Sequence, residues 1–305
     1  MIFDLDDSLL TSKQLQEIAK FLVVSSEKEQ KIKCSDKLWT FLEKNVLVTE
    51  YIGRKDIELV KFNDSLRDIT SVYNQTFTTL KVGIGAGLID INTASKIVSL
   101  NSRVVLENSS NDWPTIKKWI ELFDSKIRTT HRTVNFLVHR AVLQNRLVQE
   151  HAGGGHGTIA VRMQSLVEES YAGIEKYKLT TVFDSDKEHV NHKTDVNNSL
   201  FAYLKEHHIH GHELVKRELE NYYSWDTYSA AHKTSCVIPP TEVPEEYDYL
   251  DIAKCDNITL KKSDMHDMPQ YMDSKRLIKR IQNNMSQYGG EYEIQQIILM
   301  FAKII

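Results

Sequence analysis

No run of apolar residues approaches the roughly 18 that a membrane-spanning helix needs. The opening Met-Ile-Phe-Asp-Leu-Asp-Asp is acidic where a secretory leader is basic, so neither a span nor a leader is expected. Cysteine is nearly absent. Cys34, Cys236 and Cys255 are odd in number and far apart, forming no C-x-x-C and no disulfide framework. That usage predicts a reducing, cytoplasmic setting with no membrane partner. Proline is scarce, 5 in 305 residues, and glycine stands at 12, which excludes collagen-like repeats and low-complexity disorder. An excess of positive charge is missing too: 38 Lys and Arg face 42 Asp and Glu, for a net charge of −4. Any nucleic-acid contact must then come from a local basic patch. What is present is ordinary globular composition, 41% hydrophobic and 26% charged, at a length suited to two domains or one elaborated domain.

Residues 1–45 show apolar positions Leu9, Leu15, Ile18, Phe21 and Leu22 at three- and four-residue steps, predicting amphipathic helix. A charged break from Ser25 to Lys33 precedes a second short helix around Leu38-Trp39 and Phe41-Leu42. Helical spacing returns from Arg54 to Lys81 and is broken by Gly83, Gly85 and Gly87. That glycine cluster lacks the spacing and the preceding strand of a phosphate loop. Residues 1–100 therefore read as a helical accessory region. From Asn101 short apolar runs alternate with helical periodicity: Arg103–Leu106, a segment entering His151, Leu179–Phe183 and His212–Val215. Such alternation predicts βα units and a parallel sheet over 101–235, with ligands at the carboxyl ends of the strands. Residues 236–270 read as a long acidic surface loop. The helical tail from Asp273 ends so apolar that it should dock on the core or a partner, making 236–305 a third segment.

The sharpest local signal is Thr181-Val-Phe-Asp184-Ser185-Asp186, a hydrophobic strand delivering Asp-x-Asp at its tip. Alternation would send both carboxylates to one side. Such a pair repels unless protonated or neutralised, and a hard divalent cation, Mg²⁺ or Mn²⁺, is a natural partner; a solvated strand-to-loop turn is the alternative. Arg103-Val-Val-Leu-Glu107 is a second short strand ending in a carboxylate, with Asp112 ahead of a helix opening at Trp113-Pro114. Asp112 suits a helix cap and a ligand equally. Between the two strands, the run Gly153-Gly154-Gly155-His156-Gly157 after His151-Ala152 lets backbone approach an anion, or simply makes a tight turn.

Lys126, Arg128, Arg132, Arg140 and Arg146 lie in a span without acids between Asp124 and Glu150, a candidate phosphate-binding face. Lys275-Arg276 with Lys279-Arg280 form a second basic cluster. His208, His210 and His212 alternate as zinc ligands sometimes do, with strand-edge histidines as the plainer alternative.

In order, these elements resemble a Toprim domain, the metal-dependent fold of topoisomerases, primases and OLD-type nucleases. The resemblance rests on Glu107, the Gly153–Gly155 turn and Asp184-Ser-Asp186, in that order. Downstream, Lys216-Arg217-Glu218-Leu-Glu220-Asn221-Tyr222 is similar to the segment that follows Asp-x-Asp in stand-alone and ATPase-linked Toprim nucleases. Asn108 stands where the family has Gly after its Glu. An alternative frame puts the strand–Glu element at Asn45-Val-Leu-Val-Thr-Glu50, followed by Gly53 and Asp56.

The resemblance implies an α/β, Toprim-like (Rossmann-like) parallel sheet core with a helical N-terminal region and a helical tail. It implies a Mg²⁺- or Mn²⁺-dependent nuclease cleaving DNA, resembling antiviral-defence effectors, with RNA or tRNA cleavage and a non-catalytic interaction module as alternatives. Glu107 would be general acid–base or ligand. Asp184 and Asp186 would hold metal, with Asp112, Glu218 and Glu220 as further ligands. Lys216 or Arg217 would neutralise the transition state. Nucleic acid would be met by Arg128, Arg132, Arg140, Arg146, Gly154, His156 and Arg217. An ABC- or SMC-type ATPase is the implied partner, because the chain itself has no G-x-x-x-x-G-K-[ST]. A homo-oligomer is left open.

Overall fold

In the computed structural model, the apolar run that opens the chain is a strand, β1 (Ile2–Leu5), not the start of a helix. The structure describes residues 1–11, 13–45, 76–154, 157–192, 195, 197–234, 244–255, 258–259 and 261–305. The chain divides into two units. One comprises Met1–Ser102, Ser170–Lys178 and Ala302–Ile305, and the other Arg103–Glu169 and Leu179–Phe301.

In the first unit β1 is followed by α1 (Leu15–Glu27), β2 (Lys31–Lys33), α2 (Asp36–Leu42), β3 (Thr79–Val82) and α3 (Ile91–Ser99). The sheet order is β2-β1-β3, with β1 parallel to both neighbours and Phe3 in register with Ile32 and Leu80. A four-residue apolar run suits a strand or a helix turn equally, and periodicity cannot choose between them. Pairing on both edges decides it. The expected amphipathic helix is present as α1, which buries Ile18, Phe21 and Leu22. Ser35 caps α2 by accepting the Leu38 N–H at 3.1 Å. Of the helix expected over Arg54–Lys81, residues 54–75 lie outside the described residues and the end is β3. The described part of the first hundred residues is thus a parallel sheet with helices rather than a helical region.

The second unit is built on β4 (Ser102–Leu106), α4 (Ser109–Ser125), α5 (Arg132–Leu143), β5 (Leu147–His151), α6 (Thr158–Glu169), β6 (Leu179–Phe183), α7 (Asn198–His207) and β7 (His210–Glu213). Its sheet runs β5-β4-β6-β7, with β6 parallel to β4 and to β7. The α/β alternation read from the sequence is therefore present, though β7 begins at His210 rather than His212. β6 is buried at all five positions, the pattern of an interior parallel strand. Val105, Leu179 and Phe183 pack with Ile159, Met163 and Leu166 of α6 and Leu200 and Leu204 of α7.

Gly211 marks the tightest point of that packing. A Cβ there would stand 2.5 Å from Leu204 Cδ1 and 3.0 Å from Thr181 Cγ2. Gly211→Ala should lower stability by about 1–3 kcal/mol, read in a urea melt; an unchanged midpoint would mean that α7 is free to shift.

Beyond β7 come α8 (Trp225–Ala230), α9 (Pro244–Asp248), α10 (Ser274–Ile281) and α11 (Glu293–Ala302). The stretch expected to be a surface loop is packed instead: Tyr247, Asp248, Ile252, Met265 and Met268 are buried. Its acidic composition hid short 3₁₀ turns that anchor it through Ile252, Met265, Met268 and Pro269. The tail is docked as expected, with Ile294, Ile297, Ile298 and Phe301 buried. Among the described residues no helix is long and apolar enough to cross a membrane.

Candidate functional site

β4 leads out to the edge strand β5, while β6 leads the other way to β7. The strand order therefore reverses between β4 and β6, and in open α/β sheets such a switch point opens a crevice at the carboxyl ends. Val105 is in register with Thr181, so Glu107 and Asp184 leave neighbouring strands at this point. The sequence placed carboxylates at both tips, and the sheet brings those tips side by side.

The carboxyl of Asp184 is densely enclosed, although the residue keeps some exposed surface. Burial first, then the charges of Glu220, Asp112, Glu218 and Asp186, raises it well above the usual carboxylate range. Glu218 is raised as well, mainly by burial, against the opposing pull of Arg217. Four of the acids singled out in the sequence thus act on a fifth, Asp184. Asp112 stands where α4 begins, but the helix opens at Ser109, ahead of Trp113-Pro114. Its Oδ2 accepts the Asn108 N–H at 3.2 Å. Pro114, which has no N–H, leaves the Ser110 carbonyl to face His266 Nδ1 at 3.3 Å.

Simple alternation does not orient Asp186. β6 ends at Phe183, and Asp186 adopts a left-handed conformation with φ of 54°. The turn is held by the Lys216–Tyr222 segment. Ser185 and Asp186 both donate their N–H to the Arg217 carbonyl, at 3.0 and 3.1 Å, and Ser185 Oγ donates to the Lys216 carbonyl at 2.8 Å. Asp184 Oδ1 accepts the Leu219 N–H at 3.1 Å. Asn197 Nδ2 donates to the Asp184 carbonyl at 3.0 Å and to Glu213 Oε1 at 3.1 Å. Asn221, fully buried, accepts the Glu218 N–H through Oδ1 and donates to the Tyr247 and Leu250 carbonyls, each at 2.9 Å. Sequence reasoning assigned no role to Asn197 or Asn221; Asn221 was visible only as part of a motif.

Lys216 is not a substrate-facing cation. Its side chain is fully buried, with Nζ 2.5 Å from Asp248 Oδ2, and Arg280 bonds the other oxygen of the same carboxylate. Burial, with Arg280 nearby, lowers the Lys216 ammonium to about 8 against the pull of Asp248. Arg280 also donates to the Asn221 carbonyl, so the basic cluster of α10 turns one of its members inward. Arg217 stays beside the acids, with Nε 3.1 Å from Glu218 Oε1 and a terminal nitrogen 3.5 Å from Asp251.

The other expected residues are dispersed. Gly154 has φ of 79°, as its turn requires, while His156 lies outside the described residues, as does the Glu50 frame after Asn45. Arg128, Arg132 and Arg140 are exposed, whereas Arg146 is half-buried with Nε 2.8 Å from Gln144 Oε1. His208 caps α7, His210 is exposed, and His212 bonds Glu293 at 2.9 Å, so these histidines do not converge as zinc ligands. Cys255 is a free thiol.

No protein family, curated protein or solved structure matches the chain. Among the described residues, no three His, Cys, Asp or Glu side chains are drawn together as a closed ligand set. The donors around Asp184 are all carboxylate oxygens, which suits a hard cation. Mg²⁺ in particular is commonly held by one or two carboxylates plus water and substrate phosphate rather than by a protein cage.

Proposed function

We propose that the chain is a metal-dependent nuclease, a phosphodiesterase with a Toprim-like core that takes Mg²⁺ or Mn²⁺ at the carboxylates of Asp184 and Asp186. The observation that carries this reading is the enclosed Asp184 carboxyl, within the field of Glu220, Asp112, Glu218 and Asp186, at the switch point of a parallel sheet. Concentrated negative charge of this kind destabilises the apo fold, and a cation relieves it. Asp184 and Asp186 would hold the ion, with Glu218 or Glu220 supporting it. A bound divalent cation supplies Lewis-acid polarisation of the phosphodiester and a more acidic attacking water. Leu219 N–H and the Arg217 carbonyl fix the aspartate turn. Glu107, on the adjacent strand, takes the proton of the attacking water. Arg217 adds positive charge at the rim.

Purified protein incubated with plasmid DNA, single-stranded DNA or total RNA, in Mg²⁺, Mn²⁺ or EDTA, tests the reading. Metal-dependent cleavage lost in Glu107→Ala is expected, and the substrate cut separates DNA from RNA. Cleavage that survives Glu107→Ala but fails in Glu50→Ala would move the general base upstream. Cleavage undiminished in EDTA would contradict the metal role.

A further inference from the structure

We propose that the exposed face of α5 is a docking surface for single-stranded nucleic acid, with Phe136 as a stacking platform and Arg132 and Arg140 as phosphate contacts. This rests on the nuclease reading for why a nucleic acid is met, and extends it to the strandedness of the substrate.

α5 has two contrasting sides. Val134, Asn135, Val138 and Ala141 are buried, and Asn135 is fastened by bonds to the Phe123 carbonyl at 3.2 Å and to Gln295 Oε1 at 3.1 Å. The inward side is therefore fixed. At 100° per residue, Arg132, Phe136, Arg140 and Leu143 fall within an arc of about 80° on the other side. All four are exposed, Phe136 by 49% and Leu143 by 70%. Large apolar side chains left this open, interleaved with guanidinium groups, mark an interaction surface more than a solvated face.

The charge of this surface selects its partner. α5 contains no acid. Of the acids beside it, Asp124 bonds His139 and Glu291 bonds His131, each at 2.7 Å. Lys126 and Arg128, both exposed, extend the positive field ahead of the helix. A polyanion is the complementary partner.

The apolar members select its form. Each four-residue step along a helix advances about 6 Å, so Arg132 and Arg140 are about 12 Å apart with Phe136 midway. That alternation matches a strand whose phosphates flank a splayed base. In a duplex the base faces are stacked away from a protruding ring, whereas in a single strand every base offers one.

Fluorescence anisotropy in EDTA, with a labelled oligothymidylate and a labelled hairpin duplex, reads binding without cleavage. Phe136→Ala should weaken the single strand about tenfold and leave the duplex unchanged, with Phe136→Trp restoring affinity. Arg132→Gln with Arg140→Gln should reduce the salt slope of single-strand binding by about 1.4. All these side chains are exposed, so thermal midpoints should stay at the wild-type value. Wild-type binding by Phe136→Ala would overturn the proposal. So would self-association, or attachment to anionic vesicles, abolished by Phe136→Asp while oligonucleotide binding persists. If Phe136→Ala binds normally while metal-dependent cleavage stands, only the surface fails. If its binding is lost while no metal supports cleavage of any substrate, the surface stands and the nuclease reading fails.

Discussion

Asp184→Asn should make the apo protein more stable at neutral pH while abolishing metal-dependent cleavage. Burial and four neighbouring acids raise the folded-state value of Asp184, so the native state holds this proton to higher pH than the unfolded chain. Between the unfolded value, about 3.9, and the raised folded one, the native state binds more protons, and stability falls as pH rises. Above that window the penalty is fully present, and below it the penalty vanishes. Asparagine carries no charge and retains an oxygen to accept the Leu219 N–H. The variant should therefore melt higher at pH 7, by about 2–4 °C for each kcal/mol relieved, and match the wild type near pH 3. Cleavage should fall about a thousandfold, the rate equivalent of roughly 4 kcal/mol of lost electrostatic stabilisation. Differential scanning fluorimetry across pH, beside a cleavage time course, reads both. A variant that melts lower and still cuts would make Asp184 a structural acid.

Asp248→Ala should be the most destabilising single change at the buried ion cluster. Its two oxygens hold Lys216 and Arg280, and its carbonyl accepts the Arg217 N–H at 2.9 Å. Removing the carboxylate leaves two buried cations facing each other, a loss of about 3–5 kcal/mol, or roughly 10 °C in Tm. Lys216→Met acts in the other sense. It leaves Asp248 with Arg280, keeps the stem packed and removes an ammonium that burial disfavours, so stability at pH 7 should change by less than about 1 kcal/mol. Because the folded value near 8 lies below the unfolded one near 10.4, the wild type should gain stability as pH rises between them. Lys216→Met should lack that gain. Equal losses in the two variants, read from urea melts at pH 7 and 9.5, would contradict this division of roles.

The acids that matter most were legible because each ends a short apolar run, and a parallel sheet carries such ends to one edge. Asp184 and Glu107 needed only the strand order to become neighbours. Asp186 was legible as a residue but not in its orientation, because its left-handed turn is imposed by the Arg217 carbonyl, some thirty residues on. Lys216 misled for a related reason. In sequence a lysine beside Arg217 and Glu218 reads as surface charge, and its buried partners, Asp248 and Arg280, arrive from far along the chain. β1 was missed because a four-residue strand buried on both faces carries no period, only its pairing with β2 and β3. The tight role of Asn221 depends on carbonyls of Tyr247 and Leu250, which lie in a stretch whose composition suggested a loop.

Calorimetric titration of Mg²⁺ into the apo protein, beside Asp184→Asn and in two buffers of different ionisation heat, tests the carboxylate centre most directly. The wild type should bind with release of a proton to the buffer, since Asp184 must ionise to accept the cation, and the variant should lose both the binding and the proton. Absence of binding in the wild type, or an identical isotherm in the variant, would contradict a metal centre at Asp184.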